Sequence, residues 1–146
     1  MIELTQFKTA SLLVKLGNAV TYFRNKKMES IDLTSVQSDA FIDIIRNPGI
    51  TASQMKDHIQ LSQSTVAGLI ARLESKHLIS KTVDDRDARK VFLNPTQQGL
   101  LLEETLKEIA FETQQVLVNG MNESEQAEFA RLLEIALNNL NRARSN

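Results

Sequence analysis

At 146 residues, 42% of them hydrophobic, the chain is long enough for one domain with an aliphatic core, and its five Gly and two Pro are too few for an all-β fold. It has no Cys, which excludes disulfides, thiolate metal sites, cysteine nucleophiles and thiol-based redox sensing, and it lacks a membrane-span or signal-peptide pattern, so we expect a cytoplasmic protein. The net charge of −1 hides an excess of three positive charges in residues 1–30 and of two in residues 51–95, which is compatible with a nucleic-acid partner.

The first half of the chain has the pattern of four amphipathic helices. The first helix carries a stripe formed by Leu12, Leu13, Leu16, Val20 and Phe23, with Lys15, Arg24, Lys26 and Lys27 outside it. A capping box at Thr34–Gln37 predicts the start of the second helix, and Asn47-Pro48-Gly49 predicts its end. Its predicted buried face is Val36, Ala40, Phe41 and Ile44.

A second capping box, Thr51–Gln54, opens a short third helix that carries Met55 and Ile59. Ser62 caps a fourth helix that runs to about Lys76. Its predicted buried residues are Val66, Leu69, Ile70 and Leu73. Two short helices joined by so short a turn are a candidate helix-turn-helix.

Strand signals follow directly. The runs Ile79–Val83 and Lys90–Leu93 flank the charged loop Asp84–Arg89, and a hairpin in this place is a wing. Asn94 as cap and Pro95 at the first helical position predict a long helix that continues to Asn119-Gly120. A last capping box at Asn122–Glu125 opens a final helix. One side of that helix carries Phe129, Leu132, Leu133, Ala136, Leu137 and Leu140.

With these motifs the sequence resembles the MarR family of bacterial winged-helix transcriptional regulators over nearly its full length. Leu61–Glu74 is similar to the family's recognition helix, and Asp84–Arg89 looks like its wing, with the Asp-x-Arg element at Asp87 and Arg89. Thr96–Gly99 looks like the end of the family's Leu-Thr-x-x-Gly element.

The sequence departs from the family pattern at three positions. Gly68 stands where many members carry a basic residue, and His77 stands where a Gly usually closes the recognition helix. Pro95 replaces a Leu.

The expected fold is mainly α with a small β-hairpin wing, a winged helix-turn-helix. We expect an N-terminal dimerisation helix in residues 1–30, a DNA-binding domain in 31–95 and C-terminal dimerisation helices in 96–146. The resemblance implies that the two ends interleave with a second copy, whereas a monomeric bundle is the alternative. The predicted dimerisation residues are Leu12, Leu16, Phe129, Leu133, Leu137 and Leu140.

DNA contacts are expected from the first turn of the recognition helix and from the wing. Gln63, Ser64 and Thr65 face outward where a helix reaches base edges, although hydroxyls here could merely cap the helix. A wing arginine is attracted to the minor groove, and Asp87 is expected to orient Arg89 or Arg72. The predicted DNA-binding set is Gln63, Ser64, Thr65, Arg72, Lys81, Arg86, Arg89 and Lys90.

The sequence therefore predicts a homodimeric regulator that binds a pseudo-palindromic operator, a repressor released by a small aromatic or amphipathic effector. The alternative is a winged-helix protein-interaction module without DNA binding, which Gly68 favours. No catalytic motif is present, and His58 and His77 lack metal-ligand spacing, so we expect no enzyme activity, metal or cofactor. The effector pocket is not identified: Leu16, Phe41 and Leu106 could line one, but core packing explains each of them.

Overall fold

The computed structural model describes residue 1 and residues 7–145, which form two compact units, Met1–Thr113 and Gln114–Asn146. The described elements are α1 (Lys8–Met28), a 3-10 turn (Glu29–Ile31), α2 (Ser35–Arg46), α3 (Ala52–Ile59), α4 (Gln63–Ser75), β1 (Ile79–Val83), β2 (Val91–Pro95), α5 (Gln97–Leu100), α6 (Glu103–Leu117) and α7 (Glu123–Arg144). A mainly helical chain with one antiparallel hairpin confirms the predicted fold class.

Local capping fixes where the helices begin. Thr34, Thr51 and Asn122 each form a complete capping box with the Gln or Glu three residues later, as predicted. Ser62 caps α4 by accepting a hydrogen bond from the Thr65 N–H. The starts of four helices therefore follow from side chains that satisfy otherwise unpaired backbone N–H groups.

The predicted helix start at Asn94-Pro95 is wrong. Both residues belong to β2, and Pro95 pairs with Ile79 at the end of the hairpin. A proline is tolerated there because the last strand residue need not donate to the ladder. Thr96 is the actual cap, and the single long helix predicted to end near Asn119 is divided into α5 and α6.

The wing hairpin is joined at its base to the turn between α2 and α3. The N–H of Leu93 donates to the carbonyl of Ile50 at 2.9 Å, and the N–H of Gly49 donates to the carbonyl of Leu93 at 2.8 Å. Ile50 thus acts as a one-residue third strand beside β2. This contact anchors the wing on the helical core of the first unit.

The core of the first unit is aliphatic with one central phenylalanine, Phe41. Val36, predicted to be buried, is instead 41% exposed, because the buried side of α2 begins with two serines. Ser35 and Ser38 are buried and bonded to α1: the N–H of Ser35 donates to Asn25 Oδ1 at 2.7 Å, and Arg24 donates to Ser38 Oγ at 3.2 Å. Phe41 and Leu106 are fully packed in this core.

The recognition helix ends in a junction with α5. His77 adopts a left-handed backbone, φ +60°, in the place where the family usually has Gly. The Thr96 hydroxyl donates to the His77 carbonyl at 2.6 Å, and the Thr96 N–H donates to Leu78 O at 3.0 Å. Gly99 lies against this junction, and any side chain there would overlap the Leu78 carbonyl.

The second unit consists mainly of α7. Its apolar stripe is accessible in the single chain: Phe129 and Leu133 are half-buried, whereas Leu137 and Leu140 are exposed. Among the described residues, no helix combines the length and hydropathy that crossing a bilayer requires.

Candidate nucleic-acid interface

The first turn of α4 presents a polar, exposed surface. Gln63, Ser64 and Thr65 are all exposed, and the buried residues of the helix begin at Val66. The apolar side of α4 comprises Val66, Leu69, Ile70 and Leu73, as predicted. Because these residues hold one side of the helix in the core, the first turn faces solvent with its orientation fixed.

Three hydroxyls at this turn contact one another. Ser62 Oγ lies 2.8 Å from Thr65 Oγ1 and 3.2 Å from Ser64 Oγ. Ser62 is the cap, and the other two hydroxyls surround it rather than replace it. Each hydroxyl can both donate and accept, so exposed Ser64 and Thr65 keep further hydrogen-bonding capacity. Gln63 takes no part in the cap.

Arg72 lies on the same helix but far from its first turn. Arg72 lies nine positions after Gln63, which is about 13.5 Å along a helix axis at 1.5 Å per residue. Arg72 is exposed near the end of α4, and its carbonyl accepts hydrogen bonds from Ser75 and Lys76. The structure therefore places Arg72 apart from the three residues of the first turn.

Two aspartates shape the backbone of the wing tip. Asp84 Oδ1 accepts from the Arg86 N–H at 2.7 Å, and Asp87 Oδ1 accepts from the Arg89 N–H at 3.0 Å. The turn is closed by the Lys90 N–H, which donates to the Asp87 carbonyl at 2.9 Å. Local hydrogen bonds of this kind are typical of Asp in turns.

Asp87 also pairs with the side chain of Arg89. Arg89 Nε donates to Asp87 Oδ1 at 3.1 Å and Nη2 donates to Oδ2 at 3.4 Å. These hydrogen bonds from Arg89 hold the pKa of the Asp87 carboxyl below its ordinary value. The Arg89 side chain nevertheless remains 92% exposed. Of the two arginines considered for Asp87, the structure pairs it with Arg89 and not with Arg72.

The remaining basic residues of the hairpin differ in their surroundings. Lys90 and Arg86 are exposed at the tip. Lys81, predicted to anchor the DNA backbone, pairs with Glu74 of α4, with 3.4 Å between Nζ and Oε1. Both side chains are about half exposed, so this ion pair contributes little to stability.

One contact at the end of α4 was missed by the sequence reasoning. Lys76 Nζ donates to the backbone carbonyl of Asp32 and lies 3.0 Å from Asp32 Oδ2. Asp32 follows the 3-10 turn after α1 and has a left-handed backbone, φ +54°. The two residues are 44 positions apart, and no periodic signal links them.

The predicted dimerisation residues lie on accessible helix surfaces. On α1, Leu12 is exposed and Leu16 is half-buried, and the α7 residues are accessible as described above. His58 is paired with Asp43, with 2.9 Å between Nδ1 and Oδ1, and so joins α3 to α2. Within the described part of the chain, no cluster of three or more metal-ligating side chains occurs.

Comparison with known sequences identifies the segment that carries these features. A family model described as MarR family matches residues 33–91, which include α2, α3, α4 and the hairpin as far as its second strand. An uncharacterized HTH-type transcriptional regulator, YybA of Bacillus subtilis (strain 168), is 25% identical over 127 residues, covering 87% of this chain and 85% of that protein.

Solved structures share the fold over almost the whole chain. A MarR protein from Peptoclostridium difficile DA00132 has a TM-score of 0.91 at 21% identity, covering 98% of this chain and 94% of that one. The C80S mutant of E. coli MarR, complexed with operator DNA, has a TM-score of 0.84 at 19% identity, covering 93% and 99%. Bordetella bronchiseptica BpsR, whose DNA binding is regulated by 6-hydroxynicotinic acid, has a TM-score of 0.79 at 23% identity, covering 87% and 91%.

The family model, the relative and the shared fold agree with one another. The matched family is one of transcriptional regulators and not of enzymes. The exposed first turn of α4 and the arginine-bearing wing occupy the two positions with which winged helices contact DNA. Residues 33–91 therefore match the MarR family of transcriptional regulators, and the chain shares the fold of MarR proteins of known structure.

Proposed function

We propose that the chain is a cytoplasmic, homodimeric, sequence-specific DNA-binding repressor that a small-molecule effector releases from its operator. The observation that carries the DNA-binding part is that the exposed first turn of α4 and the exposed Arg89 belong to the same compact unit. The E. coli MarR mutant of the same fold is complexed with operator DNA, which supports this assignment.

In the proposed complex the two surfaces read different grooves. Gln63, Ser64 and Thr65 enter the major groove, where a glutamine can pair with adenine through two hydrogen bonds. Arg89 enters the minor groove, and Asp87 holds its guanidinium in position. Phosphates are contacted by the remaining members of the predicted set, Arg72, Lys81, Arg86 and Lys90.

Dimerisation is proposed through both ends of the chain, residues 1–30 and 96–146. The accessible leucines of α1 and α7 support it, because surface stripes of this kind are stabilised when a second copy covers them. Two recognition helices related by a two-fold axis read half-sites about 10 bp apart on one face of the duplex.

Release by an effector is supported by a relative of the same fold. The DNA binding of BpsR is regulated by 6-hydroxynicotinic acid. An effector acts on this equilibrium only if it binds one arrangement of the dimer better than the other. In this proposal the effector-free protein binds the operator and represses transcription.

Selection from random duplexes, followed by titration of the selected site, tests DNA binding. We expect a palindrome, and Arg89→Ala should weaken its binding by about 1–3 kcal/mol with the fold unchanged. Arg131→Ala is the matched control, because Arg131 forms a similar exposed pair with Glu128 on α7. Failure to select any sequence would contradict the proposal and favour the protein-interaction module.

Light scattering tests the dimer. The wild-type chain should have the mass of two copies at micromolar concentration, and Leu140→Glu should shift it toward one copy because it places a charge in the apolar stripe. Asn138→Glu, which adds the same charge to an exposed position of the opposite α7 side, should leave the mass unchanged. A wild-type monomer would exclude reading of a palindrome by a preformed pair.

A further inference from the structure

A cavity of about 460 Å³ lies at the end of the recognition helix. Its walls come from three places in the chain: the turn after α1, the turn between α4 and β1, and the region where α5 meets α6. The volume falls in the range of small-molecule sites, about 300–1,000 Å³. It is distinct from the surfaces of the chain to which DNA contacts are assigned above.

The cavity is lined mainly by aliphatic side chains, and Lys76 is the one cationic residue among the described lining residues. Ile31, Leu78, Leu101 and Leu102 supply the apolar wall, and no aromatic ring is among the lining residues. Leu101 is 76% exposed and forms the outer edge. The polar residues of the lining are Lys76, Asp32 and Gln98. An aliphatic wall beside a single ammonium group suits a ligand with an apolar chain and one negative charge.

The ammonium group of Lys76 retains capacity for such a ligand. It donates to the carbonyl oxygen of Asp32 and to its carboxylate, which leaves one of its three protons. The Lys76 side chain is only 19% exposed, whereas that of Asp32 is 98% exposed. An ion pair with so exposed a carboxylate is weak, so a ligand carboxylate with its chain on the leucines can compete with Asp32.

We propose that this cavity binds a medium-chain aliphatic carboxylate, with its head group on Lys76 and Gln98 and its chain on the leucine wall. The site deepens the effector part of the proposed function and rests on that function for its regulatory meaning. Lys76 connects the site to DNA binding, because its backbone N–H donates to the Arg72 and Glu74 carbonyls and closes α4. A bound carboxylate competes with Asp32 for the Lys76 ammonium group and so changes the contact between the end of α4 and the turn after α1.

The test is calorimetric titration of the DNA-free protein with octanoate. Lys76→Gln should weaken binding about tenfold, because a charge-assisted hydrogen bond is lost. Asp32→Asn should strengthen binding about threefold, because it removes a competing carboxylate from an exposed pair. Asn also tolerates the left-handed backbone of this position. Leu101→Ser should weaken binding through loss of the apolar wall, while light scattering should give the same mass as for the wild-type chain.

Lys107→Gln is the matched control. Lys107 lines a separate cavity of about 110 Å³ between α2 and α6, and its substitution should not change octanoate affinity. Octanamide, which has the same chain without the charge, should bind more weakly than octanoate.

Absence of octanoate binding would overturn the proposed site. The site would also be overturned if Lys107→Gln, and not Lys76→Gln, lowered the octanoate affinity, or if Asp32→Asn lowered it. A protein that binds octanoate through Lys76 but selects no DNA would overturn the proposed regulator and leave the site standing.

Discussion

Arg89 lies on an exposed loop, where it is held in one orientation and still keeps hydrogen-bond donors for a partner. An arginine at a loop tip loses side-chain entropy when it is held in one conformation, and a carboxylate that holds it also offsets its charge. Asp87 engages only Nε and Nη2 of the guanidinium. Three of its five N–H donors therefore remain for a phosphate or a base edge. The wing tip thus presents a partly oriented cation to its partner.

The pair has a defined pH dependence. Because the pKa of Asp87 is lowered in the folded state, the Asp87–Arg89 pair stabilises the fold fully at pH values above the ordinary Asp pKa, about 3.9. This stabilisation is lost as the pH falls through the lower pKa of the folded state. We expect Arg89→Ala to raise the pKa of Asp87 toward its ordinary value, as measured by NMR titration of the carboxyl carbons.

Glu128 is the internal control for that titration. The pKa of its carboxyl is lowered by the hydrogen bond from Arg131, and Arg89→Ala should not change it. If Asp87 titrates at the same pH with and without Arg89, the ion pair does not form in solution.

Two glycines of the first unit have opposite roles, and replacing each by alanine should change the free energy of unfolding in opposite directions. A Cβ at Gly99 would overlap the Leu78 carbonyl oxygen and lie 2.8 Å from Phe41 Cζ, so Gly99→Ala should destabilise the fold by about 1–3 kcal/mol. A Cβ at Gly68 in α4 meets nothing within 4 Å, so Gly68→Ala should stabilise it by about 0.5–1 kcal/mol. Urea denaturation midpoints measure both changes, and shifts of the same sign would contradict the structure.

At the scale of elements, the junction between wing and α5 depends on Thr96. Its hydroxyl accepts from the Gly99 N–H and donates to the His77 carbonyl. Thr96→Val should therefore cost about 1–2 kcal/mol of stability, the usual loss for a cap, and Thr96→Ser should restore most of it. Thermal unfolding monitored by circular dichroism checks this.

Thr113→Val is the comparison for Thr96→Val. The Thr113 hydroxyl donates to the Ile109 carbonyl within its own helix, a bond that adds little to stability. Equal losses for the two valine variants would mean that the hydroxyl of Thr96 does not join the elements.

Elements defined by local side chains could be predicted from the sequence, to the residue in several cases. The capping boxes at Thr34, Thr51 and Asn122 depend on residues three positions apart, so all their determinants are adjacent in the chain. Asn94-Pro95 was misinterpreted because a proline suits both the first turn of a helix and the last position of a strand. Only the pairing of Pro95 with Ile79 decides between the two.

The positions of candidate site residues that follow from local motifs could also be predicted from the sequence. The sequence could place Gln63 on the first turn of a recognition helix and Arg89 on a wing, because each position follows from a local motif. It could not foresee that Glu74 pairs with Lys81 or that Lys76 reaches Asp32. These contacts join side chains from different elements, and periodicity contains no information about them.

At the scale of the whole molecule, the absence of cysteine restricts how DNA binding can be regulated. Thiolate oxidation requires a residue that this chain lacks, and its four Met oxidise less selectively. We expect hydrogen peroxide, at a dose that leaves Met unmodified by mass spectrometry, to leave DNA affinity unchanged in a fluorescence anisotropy titration. A loss of affinity that a thiol reductant reverses would contradict this expectation.

The hydrogen bonds between the wing base and the turn after α2 have a consequence for amide exchange with solvent. The Leu93 and Gly49 amides bond to residues more than 40 positions away, and Leu93 is buried. Such amides exchange only when a large part of the fold opens cooperatively, whereas exposed loop amides exchange through small local openings. We therefore expect the amides at the base of the hairpin to exchange at the rate of global unfolding. The tip, around Arg86 and Ala88, can adjust to the shape of a groove while the rest of the protein stays folded.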